Sequence, residues 1–509
     1  MAKVAPSVIA AVASASNRIF GFIRDILMAQ VLGAGPVSDA VLAAFWIPNA
    51  VRRTLAEGGL NPAFIPNYSR LLAKNPEKAH GFAMAAFSGL LVVLLAVAAI
   101  LEVFASALAF LFFPGLEGEA AVLAVTYMRL SLPLMVGTSL AANLAAVLLT
   151  ERRIAVAALA PNVVHIVMIV TLIAVGYAAL AQPEQGWWVA AAVGFSGVVH
   201  LAILVVAMRR YFPWFRLVHP QLSRDVRIFL KATVPTVLIV GTAQTTILAA
   251  TFAASFLPSA VSWLYYAEHL FHVPLGFAAA IAGLVVLPQL SALSAEENKE
   301  GCHRAQNHAV ELSLLFSIPA AAGLFLLARP IMEVLFERGA FTAEDTIGAS
   351  LALQGLALGL PFAALGKIVS QTVFVVSPLR MAGLTSIIGV VTTLVLALLL
   401  SWPLEIFGIT LAVSCGLAAH ALSCVVILNK AGFWRVSTGF HRTVASHVSA
   451  SLVMGLGVFG YLRFVGVESV FSLLTVCVFG AVVFVGAAVM FGAVSARDLA
   501  ALWRHGKRD

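Results

Sequence analysis

Charge is scarce in this sequence. Asp, Glu, Lys and Arg together make up 11% of its 509 residues, against about a quarter in a soluble globular chain. A water-facing surface over most of the molecule is thereby excluded. Cysteine is scarcer still. Of the four, Cys302 lies in a polar stretch, Cys477 in an apolar run, and Cys415 and Cys424 are nine apart, on opposite faces of a helix at about 100° per residue. Neither a disulfide framework nor a metal-ligand spacing follows from them, so no metal site is expected. A Walker phosphate loop is missing too, and no polar stretch is long enough for a soluble nucleotide-binding domain. No cofactor and no enzymatic role are expected.

What is present is apolar length. Hydrophobic residues make up 61% of the chain and the mean hydropathy is +1.00. Runs of about 20 such residues, enough to cross a bilayer core as a helix, recur from end to end. A β-barrel is excluded, because its strands alternate apolar and polar over about ten residues. The opening "MAKVAPSVIAAVASASNRIF" resembles a leader, but its apolar stretch continues past Arg18 to Gly33 and is expected to be the first membrane helix. About fourteen spans are predicted, near 5–32, 37–68, 80–112, 122–150, 154–180, 187–208, 225–256, 260–292, 308–328, 345–376, 380–401, 405–429, 443–465 and 469–494. Turn chemistry or charge separates them: "GAGP", "KNPEK", "FPGLEGE", "ERR", "QPEQG", "SAEENKEG".

Lysine and arginine set the topology. With the N-terminus inside, most of the 31 basic residues fall in inner loops and tails, among them Arg70, Lys74, Lys78, Arg209, Arg210, Lys430 and Arg435. The outer loops hold Arg329, Arg338 and Arg463. Both termini are therefore expected in the cytoplasm, and the net charge of +8 is a topology signal that implies no nucleic-acid partner. The long inner loop 209–227 divides the chain into six spans, six spans and a final pair, as in transporters built from two related lobes. The predicted divisions are an N-lobe over 1–215, a C-lobe over 216–436, and a last helix pair with a basic tail over 437–509.

A few basic residues are left within spans: Arg18, Arg24, Arg52, Arg53, Arg129 and Lys367. Acidic residues there include Asp25, Asp39, Glu57 and Glu268. A charge at the bilayer centre costs about 2.5–3.5 kcal/mol or more, so such groups face a partner or a wet cavity. Snorkelling at a helix end is the simpler account of Arg129. On a straight helix Asp39 and Glu57 share a bearing and Arg53 lies about 40° away. Arg53 and Glu57 are also an i,i+4 pair, so they can neutralise each other. Arg52 is left over, and so is one of Arg18 and Arg24 once Asp25 takes a partner. Surplus guanidinium in a cavity fits a phosphate-bearing head group.

At these residues the chain resembles a known family. The block "RIFGFIRDILMAQVLGAGPVSDAVLAAFWIPNAVRRTLAEGGLNPAFIP" (18–66) is similar to the N-terminal signature of the MurJ/MviN lipid II flippases, of the multidrug/oligosaccharidyl-lipid/polysaccharide exporter superfamily. "SWLYYAEHLFHVPLGF" (262–277), "VLPQLS" (286–291) and "FERGAFTAEDT" (336–346) add to it. The resemblance implies an all-α polytopic protein with two six-helix lobes in a V around a cationic cavity, and a last helix pair grooved for a polyprenyl tail. It implies transport of lipid II, the undecaprenyl-pyrophosphate-linked disaccharide-pentapeptide, across the inner membrane for peptidoglycan synthesis, with membrane lipids and the cell-wall synthesis machinery as further partners. Carried over by position, Arg18, Arg24, Arg52 and Arg53 would bind the head group, and Asp25, Asp39, Glu57, Glu268, His269, His272 and Lys367 would support or gate it. Glu268-His269 and His272 depart from the Asp-Arg pattern common in relatives. The segment after Lys367 lacks an acidic residue often found there, so no sodium site is implied. The rivals are a flippase for another polyprenyl-linked glycan, a drug exporter of the same superfamily, and a membrane-embedded enzyme acting on the same lipid. Arginine excess argues against the exporter, and short outer loops against the enzyme.

Overall fold

The computed structural model describes residues 6–54, 61–219, 224–281, 299–377, 379–437 and 439–493. The expected all-α class holds: these residues form seventeen helices and no strand. In chain order they are α1 (Pro6–Leu32), α2 (Pro36–Arg52), α3 (Asn61–Lys74), α4 (Pro76–Val103), α5 (Ala105–Phe112), α6 (Gly118–Thr150), α7 (Ile154–Leu159), α8 (Asn162–Tyr177) and α9 (Gln182–Tyr211). Then come α10 (Arg224–Ala254), α11 (Ala260–Ile281), α12 (Lys299–Phe336), α13 (Ala343–Ala357), α14 (Leu360–Val376), α15 (Leu379–Lys430), α16 (Phe440–Phe464) and α17 (Val470–Met490).

Among the described residues eight helices are long and apolar enough to cross a membrane, or nine if the pair α13 and α14, bent by 46°, counts as one span. The expected number of about fourteen is not established by this measure. Two features account for part of the difference. Helix α2 has 17 residues, short of a full crossing by itself. Helix α15 has 52 residues, and at 1.5 Å per residue that is about 78 Å, more than twice a bilayer core. Its backbone breaks at Glu405 (φ 48°, ψ −131°), beside Pro403, where the sequence places a turn between two spans. Large apolar side chains stand exposed along these helices, such as Phe110 at 77%, Phe471 at 80% and Met490 at 85%, as lipid contact requires.

The chain forms two compact units. The first holds Met1–Ser262 and Arg338–Thr342. In it α6 and α9 pack backbone to backbone: a side chain on Gly137 would strike the carbonyl of Gly197, and a Cβ on Gly197 would lie 2.5 Å from Leu134 Cα. An aromatic cluster ties α3, α4 and α10 together, with Phe64 stacked on Phe82 at 5.4 Å and Phe229 edge-on to Phe64 at 6.0 Å. The second unit holds Trp263–Glu337 and Ala343–Asp509. There Tyr266 packs on Phe336 at 5.3 Å, and Trp263 Nε1 donates to Asp345 Oδ1 at 3.1 Å.

Each unit carries the same fastening. After α9, the segment 212–219 turns back on α4, where Trp214 stacks on His80 at 4.0 Å and Val218 N–H donates to Ser88 Oγ at 3.1 Å. After α15, Trp434 Nε1 donates to Asn307 Oδ1 on α12 at 2.8 Å, and Arg435 N–H donates to His303 Nδ1 at 3.1 Å. In both, a tryptophan just past a long helix clamps the start of another.

Candidate functional site

The charges that stand out in the sequence lie on α1, α2, α11 and α14. In the first unit, Asp25 is buried at 2% exposure beside Arg24. Arg24 curls along its own helix, so that Nε and Nη2 donate to Asp25 Oδ1 at 3.0 and 2.6 Å. Its Nη1 lies 3.4 Å from His165 Nδ1 on α8. A carboxylate between two guanidinium nitrogens is a strong, charge-assisted arrangement that fixes the plane of the fork. Arg18, two turns before Arg24, is exposed.

Helix α2 starts after Gly33, whose φ of +65° suits glycine, and carries Pro36 at its first position. Arg52 sits at its other end. Its Nε and Nη2 donate to Asn49 Oδ1 at 3.0 and 2.9 Å, one turn back. Asn49 is neutral, so this bond orients the guanidinium without cancelling its charge. At Arg53 and Thr54 the helix widens into a π turn, a local form found often at functional sites. Arg53 is half-buried there. Glu57, and with it the predicted pair with Arg53, lies outside the described residues.

Asp39 is 3% exposed and accepts from the Ser262 N–H at 2.8 Å and the Ser262 hydroxyl at 2.5 Å. Ser262 is the third residue of α11, so the carboxylate satisfies an N–H of the first helical turn and faces the positive end of its dipole. A second fastening lies near α1. The N–H of Ala340 donates to the carbonyl of Gln30 at 2.9 Å, with Gly339 (φ +59°) pressed against that residue and Gly33 against Ala340. All these atoms belong to the first unit. They fasten the segments through which the chain passes to the second.

In the second unit, His272 Nε2 lies 3.1 Å from Glu268 Oε1, one helical turn apart on α11. The carboxylate accepts, so Nε2 carries the proton. His269 Nδ1 donates to the Tyr265 carbonyl at 2.9 Å, and its ring packs 4.2 Å from that of Tyr265. Lys367 is an exposed residue of α14. Arg129 sits apart, with Nε 3.2 Å from Glu102 Oε1, both side chains about half exposed. Among the described residues no cluster of His, Cys, Asp and Glu is arranged to hold a metal ion.

The sequence model of the family "Lipid II flippase MurJ" matches residues 28–479. The chain belongs to the lipid II flippase MurJ family. It is similar to a probable lipid II flippase MurJ of Rhizobium tropici, 31% identical over 457 residues, covering 88% of this chain and 85% of that one. A probable lipid II flippase MurJ of Rhizobium meliloti (strain 1021) is 32% identical over 453 residues, covering 88% and 84%. Among solved structures, a lipid II flippase MurJ in an inward closed conformation shares the fold, with a TM-score of 0.78 at 22% identity over 97% of this chain and 99% of that one. An inward-facing multidrug resistance transporter of the MATE family shares it more distantly, with a TM-score of 0.65 at 16% identity over 85% and 95%.

Three residues of this site escape a reading of the sequence. Asn49 was within reach, because an amide three positions before an arginine is a regular helical partner. His165 and Ser262 were not, being 141 and 223 residues from the side chains they meet.

Proposed function

We propose that the protein is a lipid II flippase of the bacterial inner membrane, with both termini in the cytoplasm. It moves the undecaprenyl-pyrophosphate-linked peptidoglycan precursor from the inner to the outer leaflet by alternating access and makes no covalent change to it. The observation that carries this reading is the family match over residues 28–479, which spans the arginines of α2 and most of the chain. Physical chemistry supports the role given to those arginines. A pyrophosphate brings concentrated negative charge into a medium where charge is expensive, and guanidinium forks meet it with paired donors. In this proposal Arg24, Arg52 and Arg53 grip the pyrophosphate and Arg18 assists at the cavity edge. Asp25 and Glu57 hold the arginines, Asp39 serves the gate, and Glu268, His269, His272 and Lys367 respond from the second lobe.

The lobes are proposed to comprise residues 1–215 and 216–436, with 437–509 adding the tail groove. The polyprenyl chain stays in lipid against α16 and α17, where Leu456 is 73% and Phe471 80% exposed. Contact with the cell-wall synthesis machinery would place the product beside the enzymes that consume it.

The test is the accessibility of lipid II on the outer leaflet of cells depleted of the protein. Rescue with the wild type is compared with rescue by Arg52→Ala/Arg53→Ala. Accessible lipid II is expected to fall on depletion, return with the wild type, and stay at least about tenfold lower with the double variant, the loss of roughly one charge-assisted contact. Unchanged accessibility on depletion, in cells without another flippase, would sink the lipid II reading.

A further inference from the structure

His165 has no part in the site as read from the sequence, yet the fold builds a place for it. Helix α8 begins just after Pro161, and its first residue, Asn162, donates from Nδ2 to Ser16 Oγ on α1 at 2.7 Å. That contact fixes the register of the two helices. One turn along α8, the imidazole of His165 lies over Gly21, where an added Cβ would stand 3.6 Å from Cε1 and 3.7 Å from Nε2. A methyl there would stand in ordinary van der Waals contact with the ring. The ring is thereby aimed at Arg24, one turn further along α1, whose Nη1 it meets at 3.4 Å through Nδ1. A guanidinium can only donate, so Nδ1 accepts and the ring proton sits on Nε2.

Arg24 is thus held from two sides. Asp25 takes Nε and Nη2, and His165 takes Nη1. The two partners differ in charge. Asp25 already balances the guanidinium, so a second carboxylate would leave the group net negative and repel a phosphate. A neutral imidazole adds orientation and no charge. We propose that His165 is a positioning residue of the head-group site, fixing the Arg24 fork for a diphosphate while leaving the local charge balance unchanged. This rests on Arg24 being a head-group contact, as proposed above. A fork fixed in advance loses less freedom on binding, which is where the affinity arises.

The test uses the full-length protein in phosphatidylcholine nanodiscs and measures its affinity for a polyprenyl diphosphate. Three substitutions separate orientation, charge and packing. His165→Asn keeps an acceptor near the position of Nδ1 and is expected to bind within about threefold of the wild type. His165→Leu loses the acceptor and is expected to bind about tenfold more weakly, a change of ~1.4 kcal/mol. His165→Asp has the size of Asn and keeps the acceptor but adds a negative charge, and is expected to be the weakest of the three. A role in packing alone predicts Asn and Asp to behave alike, and that result overturns the proposal. So does wild-type affinity in His165→Leu. Arg24→Ala runs in parallel. If it weakens binding while His165→Leu does not, positioning by His165 fails and the head-group reading stands. If Arg24→Ala binds as the wild type does, the head-group role of Arg24 fails, and the proposal falls with it.

Discussion

Asp39 shows how a charge costly to place in a membrane can be kept by what it holds. Its carboxylate accepts two hydrogen bonds from Ser262, from the backbone and from the hydroxyl, at the positive end of a helix. Hydrogen bonds to a charged group contribute about 1.5–3 kcal/mol, so Asp39→Ala is expected to destabilise the protein by about 2 kcal/mol or more in mixed-micelle unfolding. Asp39→Asn should cost less, since an amide oxygen still accepts. A double-mutant cycle with Ser262→Ala isolates the hydroxyl bond. A coupling energy near zero would mean that Asp39 is held by something else. The sequence marks Asp39 as an unusual residue in an apolar run. It does not disclose Ser262, because the pairing arises from two helices meeting and leaves no periodic trace in either. The same holds for His165. Arg52 and Asn49, by contrast, are bound by helical spacing, and that spacing is visible in "NAVR".

At the scale of whole elements, α6 and α9 set a tight constraint. With little hydrophobic drive between helices in lipid, close backbone approach through small residues supplies the attraction. Gly137, Gly194 and Gly197 permit it, and the nearest neighbour of each across the interface is a backbone atom, which cannot rotate away. Gly197→Ala places a methyl 2.5 Å from Leu134 Cα and 2.9 Å from the Pro133 carbonyl oxygen. Overpacking of this kind costs about 1–3 kcal/mol, so a lower yield of folded protein and a lower unfolding midpoint are expected. Gly81→Ala on α4, where nothing lies within 4 Å of an added Cβ, is the control. It should be neutral or slightly stabilising, because alanine is the better helix former by about 1 kcal/mol. Equal losses in the two would show that the α6–α9 contact is not what limits folding. The tryptophan fastenings work at this scale as well. Each closes a long helix onto another of its own unit, through stacking at Trp214 and through a hydrogen bond at Trp434.

For the whole molecule, the class of protein was legible because hydropathy is a property of composition and length, which the sequence carries directly. The number of spans was less so. Charged or kinked helices such as α1 and α2 blur the measure, and α15 continues through a break at Glu405 that hydropathy treats as one more residue. The alternating access proposed above would demand that some fastenings yield on each cycle. The backbone bond between Ala340 and Gln30 lies between α12 and α13 and at the end of α1, and we propose that it is one of them. A short, reducible cross-link between cysteines placed at Gln30 and Ala340 would hold it shut. The native thiols leave this test clean once the exposed Cys477 is replaced by serine, since Cys302 and Cys424 are buried and Cys415 is half-buried. Cross-linked protein in cells is expected to leave lipid II at the inner leaflet, with accessibility at the outer leaflet recovering on reduction. If the cross-linked form flips as fast as the reduced one, this fastening stays closed throughout the cycle and the gate must be sought elsewhere.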